Sequence, residues 1–196
     1  MKKTFLSLFI LLVAFNTKGI ADNSTSVKRI VEGDINAKIT IITFESLTCG
    51  HCADFHKNVY PELKREFIDT GLVKIEFRHF PLDIAALNAS KISQCTNNGN
   101  SKMLHFLYSN QKKWVKGQTV EEINKDLKKL LKNEYLSLDF EKCINDKIVE
   151  DYILNDRIEG VQKFKVNATP TIIINNKKFD KPLNYKNLKK FIKKLI

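Results

Sequence analysis

Cys49-Gly50-His51-Cys52 constrains this chain more than any other segment. Two cysteines so close can close a disulfide within one turn. They follow an apolar run, Ile39-Thr40-Ile41-Ile42-Thr43-Phe44, and precede a helical pattern. A strand that ends at a CxxC opening a helix is a redox arrangement. The first cysteine then sits where unpaired backbone N–H groups and the positive helix end stabilise a thiolate. Cys49 is expected to titrate below a free thiol and to be a good attacking or leaving sulfur.

The first 21 residues have the pattern of an export signal: Lys2 and Lys3, an apolar core from Phe5 to Phe15 too short for a membrane span, and Gly19-Ile20-Ala21, with cleavage expected after Ala21. No cysteine directly follows it, so a lipid anchor is not expected. Residues 22–196 suffice for one domain with a sizeable core or a large insertion. Outside the cytosol disulfides persist, and four cysteines suggest two pairs. The net charge of +11 falls to +8 once Lys2, Lys3 and Lys18 are removed. Nearly all of it is lysine, since only Arg29, Arg65, Arg78 and Arg157 are arginines. These charges lie beside acids, as in Lys125-Asp126 and Glu141-Lys142, with no arginine stripe interleaved with aromatics. They read as solvated helix faces, and no nucleic-acid partner is expected.

Periodicity predicts a short strand over Val27 to Val31, a turn at Glu32-Gly33-Asp34 and a buried strand over Lys38 to Phe44. A helix opened by Cys49 runs through Phe55, Val59, Leu63, Phe67 and Ile68, bent or interrupted at Pro61 and stopped near Gly71. Val73 to Phe77 alternates as a strand. From Ile84 to about Lys165 the pattern is helical, with Asn97-Asn98-Gly99-Asn100 as a break and Thr119 and Glu122 fitting a capping box. Ser137 to Ile144 and Ile148 to Phe164 read as helices, and Phe106, Trp114 and Tyr152 as core. Strand character returns at Thr171 to Ile174, turns at Asn175-Asn176 into Lys177 to Phe179, and gives way to a helix capped by Asn184 and carrying Leu188, Phe191, Ile192 and Leu195.

With these elements in place the chain resembles the DsbA-like thiol:disulfide oxidoreductases. The resemblance rests on Arg29-Ile30-Val31-Glu32-Gly33-Asp34, Phe44 to Cys52, Phe77-Arg78-His79-Phe80-Pro81-Leu82-Asp83 and Val166-Asn167-Ala168-Thr169-Pro170-Thr171. It implies an α/β, thioredoxin-like fold with an inserted all-α subdomain: residues 22–82 and 166–196 form a discontinuous thioredoxin-like domain, and residues 83–165 the helical insert. Cys49 then resembles the nucleophile that forms the mixed disulfide, Cys52 the buried partner that resolves it, and His51 the histidine that stabilises the thiolate by charge and hydrogen bonding. Pro170 matches the family's cis-proline, and the Thr169 backbone can pair with a substrate backbone as an added strand. The dipeptide departs from the family: it is Gly-His, where many DsbA proteins have Pro-His, and Gly-His is the pair typical of protein disulfide isomerases. A buried acid common six residues before the first cysteine is replaced by Thr43. Glu45 lies nearby, with a solvated or capping role at least as expected as proton transfer from Cys52.

Competing chemistries find less support. Zinc would want a second close pair of ligands, whereas Cys95 and Cys143 are isolated, and no metal is expected. Haem attachment would need a histidine where Ala53 stands. His56 reads as a surface or packing residue and His79 as a structural one, and His105 has no recognisable partner. Cys95 and Cys143 both fall in the helical block. With Cys49 and Cys52 paired as the redox-active bond, they are expected to form a structural disulfide, stabilising by ~4 kcal/mol on chain entropy; two free thiols are the alternative.

The function expected is disulfide donation to newly exported cysteine-containing proteins in the periplasm, without a dissociable cofactor. The resemblance implies reoxidation by a DsbB-type, quinone-linked membrane partner. Isomerase or reductase activity is the nearest alternative, and a non-catalytic secreted binding protein the next. The 16 residues at 22–37 are too few for a dimerisation domain, so a monomer is expected. The potential expected from Gly-His and the family lies between about −120 and −200 mV.

Overall fold

The computed structural model describes residues 27–96 and 98–196; the expected signal at residues 1–21 lies outside them. Five strands form one sheet in the order β1-β3-β2-β4-β5. They are β1 (Ile30–Glu32), β2 (Ile39–Glu45), β3 (Val73–His79), β4 (Thr171–Ile174) and β5 (Lys177–Lys178). β2 and β3 are parallel, and the other neighbours antiparallel. Between β2 and β3 lie α1 (Gly50–Asn58), α2 (Tyr60–Leu63) and a wider π-type turn (Lys64–Ile68). After β3 come α3 (Ile84–Gln94), α4 (Lys102–Ser109), α5 (Gln111–Trp114), α6 (Val120–Glu134), α7 (Phe140–Asn145) and α8 (Lys147–Phe164), all before β4; α9 (Tyr185–Ile192) closes the chain.

β2 is central and covered on both faces. Ile39 and Ile41 join the main core with Phe55, Leu63 and Phe77, while Ile42 and Phe44 pack with Phe80, Phe164, Val166 and Ile173. A strand covered twice reads as a nearly continuous apolar run, and polar residues on it are buried too. Thr43 and Glu45 are both buried. β3 alternates instead, with Val73, Ile75, Phe77 and His79 buried and Lys74, Glu76 and Arg78 half-buried. Arg78 reaches Glu76 at 3.1 Å and Glu159 of α8 at 2.6 Å.

The long helix expected after Cys49 is interrupted as its sequence requires. α1 ends at Asn58, and Pro61 lies in the first turn of α2, where its missing N–H costs little. Gly71 follows at φ 75°, a backbone region open to glycine. Thr119 and Glu122 form the capping box, and Asn184 caps α9 through the Asn187 N–H at 2.9 Å. Asn175 and Asn176, at φ 45° and 64°, make the hairpin turn. Cys95, at the end of α3, is disulfide-bonded to Cys143 of α7, with Cα atoms 5.3 Å apart.

Several boundaries differ from expectation, among them α7, which begins at Phe140 rather than Ser137. β1 occupies Ile30–Glu32 rather than Val27 to Val31, because its pairing with β3 runs from Ile30 opposite Phe77 to Glu32 opposite Ile75. Glu32 is therefore a strand residue and not the start of the turn. β5 stops at Lys178, before Phe179. α9 ends at Ile192 and leaves Leu195 exposed.

Gly160 lets α8 approach β2. A Cβ there would lie 2.9 Å from Phe44 Cε1 and 3.3 Å from Phe80 Cδ2. Replacing a helical glycine by alanine ordinarily stabilises by about 1 kcal/mol. Gly160→Ala is expected to destabilise instead, by about 1–3 kcal/mol, because the buried Phe44 ring must move; urea unfolding measures the sign.

Candidate functional site

The end of β2 and the start of α1 place the two cysteines. The Cys49 N–H donates to the Ser46 carbonyl at 3.0 Å, and the Cys52 and Ala53 N–H groups donate to the Cys49 carbonyl at 3.2 Å each, closing the first helical turn. Cys49 is the N-cap residue of α1, extended at φ −77° and ψ 120°. It is half-buried and Cys52 fully buried, and both are thiols. Their environments push them apart. The Cys52 thiol donates to the Cys49 sulfur, and the Cys52 and His51 backbone N–H groups add to it; against the cost of burial they bring Cys49 down to about 5. Burial pushes Cys52 well up, helped by its bond to Cys49 and by the negative charge of Glu45.

The loop before β4 closes over this pair. The Thr169–Pro170 bond is cis. The Cys49 sulfur lies 3.4 Å from the Thr169 carbonyl, and the Thr169 hydroxyl, buried and otherwise unpartnered, also lowers the Cys49 pKa. A groove of ≈ 500 Å³ runs along this side, lined in part by His51, Phe55, Thr169, Pro170, Leu183 and Tyr185. Gly50, Lys57, Tyr108, Lys112 and Lys113 line part of a second groove of ≈ 600 Å³ on the other side of α1.

Two residues of the helical block hold the loop. Gln111, buried at the start of α5, donates through Nε2 to the Leu47 carbonyl at 2.8 Å and the Cys49 carbonyl at 3.0 Å. Asp83 uses one oxygen to cap α3 at the Ala86 N–H (2.7 Å) and the other to accept from the Thr48 hydroxyl (2.7 Å). Neither contact was expected from the sequence. The helix start after Pro81 was the available signal for Asp83; Gln111 had none.

The structure thus brings Cys49, Cys52, Thr169 and Pro170 together, and corrects three other readings. His51 is exposed, and its imidazole makes no hydrogen bond among the described residues; its backbone N–H faces the sulfur instead, because it stands in the first turn of α1. Glu45 is neither solvated nor a cap. It lies on the α1 side of β2, 3 % exposed, and pairs with His56 at 2.7 Å. His56 is buried and packs against the Tyr108 ring, as a packing residue would, and it is also partnered by Glu45. His105, expected to be alone, bonds His56 and Glu32. His79 is buried beside Gln94.

The sheet order and the helices on its two faces define a thioredoxin-like protein, and residues 25–194 match the thioredoxin family. The crystal structure of α-DsbA1 from Wolbachia pipientis is similar to it with a TM-score of 0.76 and 31 % identity, over 85 % of this chain and 90 % of that one. Disulfide bond formation protein D of Bacillus subtilis is 25 % identical over 174 residues, 84 % of this chain and 75 % of that protein. A Rickettsia bellii protein, named as a protein-disulfide oxidoreductase, is 32 % identical over 150 residues, 74 % of this chain and 56 % of that protein. The chain spans about half the length of the Rickettsia relatives it matches. It belongs to the DsbA-like thiol:disulfide oxidoreductase family.

The Cys49 shift sets a pH dependence. In the folded dithiol Cys49 ionises above about 5, whereas in the unfolded chain it stays protonated to about 8.5. Between these values the unfolded state binds more protons, so the stability of the reduced protein relative to the oxidised rises with pH and is lost as pH falls through about 5. Above about 8.5 the buried Cys52, held protonated, reverses the slope. Denaturant unfolding of both forms across pH measures this, and Cys49→Ser should abolish the rise.

Gly50 needs no glycine geometry. A Cβ there meets nothing within 4 Å, it stands at the first position of α1, and Cys49 before it is extended. Proline suits that position, and the residue before it suits proline. Gly50→Pro is expected to stabilise by about 0.4–1 kcal/mol and to keep the His51 and Cys52 N–H donors; thermal unfolding of the oxidised form tests it.

Proposed function

We propose that this chain is an exported, periplasmic disulfide donor acting through a Cys49–Cys52 disulfide. The observation that carries the reading is the asymmetry of the pair: an accessible sulfur held down at about 5 beside a buried thiol held protonated. A substrate thiolate attacks Cys49, the Cys49–Cys52 bond breaks, and Cys52 leaves and takes up a proton. A second substrate thiolate then attacks the substrate sulfur of the mixed disulfide and expels Cys49 as a stable thiolate. The substrate loses two electrons and gains a disulfide; the protein gains two electrons as a dithiol. Stabilising the Cys49 thiolate stabilises the reduced form, which makes the disulfide oxidising.

Residues 22–82 and 166–196 serve as the thioredoxin-like domain in this reading, residues 83–165 as the helical insert, and residues 1–21 as the export signal. The groove beside Thr169 and Pro170 takes an extended, cysteine-containing segment of an unfolded exported protein, with the Thr169 backbone pairing as an added strand. Exposed Leu82 and Ile84, next to the Thr48–Asp83 contact, offer apolar surface for such a client. Return to the disulfide requires an electron acceptor, for which a DsbB-type, quinone-linked membrane oxidase fits the family.

Equilibration in glutathione buffers, read as the Cys49–Cys52 potential, tests the direction of electron flow. A disulfide donor should give about −120 to −180 mV; a value near about −270 mV would make the site a reductant. Cys49→Ser should abolish oxidation of a reduced, unfolded client protein.

A further inference from the structure

A run of polar atoms leads from the buried Glu45 to the protein surface through four elements. Glu45 Oε2 on β2 lies 2.7 Å from His56 Nε2 on α1, His56 Nδ1 lies 3.1 Å from His105 Nδ1 on α4, and His105 Nε2 lies 2.7 Å from Glu32 Oε1 on β1. The inner pair is buried, Glu45 at 3 % and His56 at 4 % side-chain exposure, and the outer pair partly exposed, His105 at 26 % and Glu32 at 15 %. The rings are held in place: His56 stacks on Tyr108 at 4.0 Å and His105 on Tyr60 at 4.6 Å. Among the described residues no such cluster could hold a metal ion, so this is a hydrogen-bonded chain and not a ligand set.

Its three contacts fix its protons. Each contact joins two atoms that bear lone pairs, so each needs one proton, and the chain holds three. Two carboxylates and two neutral imidazoles hold only two, one on each ring. The third proton lies either on a ring or on Glu45: with Glu45 ionised, one of the two rings carries protons on both nitrogens; with Glu45 protonated, His56 carries one, on Nδ1. Moving the proton between Glu45 and His56 is a single hop across 2.7 Å. At the inner end Glu45 Oε1 is buried without a hydrogen-bond partner among the described residues, and its charge acts on both Cys52 and Tyr108. At the outer end Glu32 accepts from the Tyr60 hydroxyl and lies 4.0 Å from Lys64. Burial works to raise Glu32, but bonds from His105, Ser101 and Tyr60 outweigh it and hold it ionised down to about 2.

We propose that Glu45, His56, His105 and Glu32 form a proton relay that carries the Cys52 proton to the surface when Cys52 becomes a thiolate, and returns it when Cys52 is the leaving group. The inference rests on the redox reading of the site. In the outward direction the thiol proton passes to Glu45, one proton crosses each contact in turn, and one leaves at the Glu32 end. No electron moves along the chain, and the chain ends with the three protons it began with. Cys52 and His56 lie one turn apart on α1, so the buried sulfur and the entry to the relay share one helix face. Tyr108, also near Glu45, is buried and its phenol is pushed up by burial and by Glu45, so it does not extend the chain toward solvent.

The test isolates the step that deprotonates Cys52. Reduced protein mixed with glutathione disulfide first forms the Cys49–glutathione mixed disulfide, and Cys52 then attacks it; acid quenching and mass spectrometry resolve the two steps across pH. His105→Gln can accept from His56 and donate to Glu32, so it keeps the contacts but cannot pass a proton. It is expected to slow the second step about 10-fold or more, with added imidazole restoring it, while the first step and Tm stay unchanged. Glu32→Gln, at the outer end, should slow the same step. A second step with wild-type rate and pH profile in both variants overturns the relay. Wild-type protein that forms no mixed disulfide overturns the redox reading itself, whatever the variants do.

Discussion

The structure turns on one ionised sulfur at the start of a helix. Cys49 sits at the first turn of α1, and the backbone N–H groups of His51 and Cys52 face its sulfur together with the Cys52 thiol. These donors are local, a consequence of where the helix begins. Everything else in the site either fixes that start or exploits it. Ser46 and Gln111 hold the backbone on either side of Cys49, Asp83 ties Thr48 to the cap of α3, and the cis-proline loop closes over the sulfur. The helices between β3 and β4 therefore belong to the redox chemistry, since α5 contributes the Gln111 amide and α4 lines the region behind Cys52.

Burial does the opposite work on the second cysteine. Cys52 lies at the foot of the same turn, wholly enclosed, next to a carboxylate. A buried thiolate there would be costly, so the proton and the negative charge are divided between the sulfurs rather than shared. Such a division suits exchange in both directions, with one sulfur a good leaving group and the other needing a place to lose or collect a proton. The polar chain behind Cys52 answers that need.

Much of this was legible in the sequence because it is local. The CxxC spacing, the apolar strand before it, Pro61, the Thr119–Glu122 box and the Asn175-Asn176 turn act within a few residues, and their outcomes follow from backbone geometry. The Thr169–Pro170 placement was legible only through the family resemblance. What was not legible is what tertiary packing assembles. Glu45 was read as solvated because strand alternation says which face a residue takes, not whether that face is covered. His56 and His105 looked solitary because their partners stand 11 and 73 residues away. β1 was misplaced because its pairing with Phe77, and not the apolarity of Val27, decides where the strand begins.

The most direct measurement is a titration of the Cys49 thiolate in the reduced protein, followed by its absorbance near 240 nm, with Cys49→Ser as the blank. A midpoint near pH 5 is expected, with Cys52 silent across the accessible range. A midpoint near about 8.5, that of an ordinary thiol, would contradict it and leave the asymmetry of the pair without a physical basis.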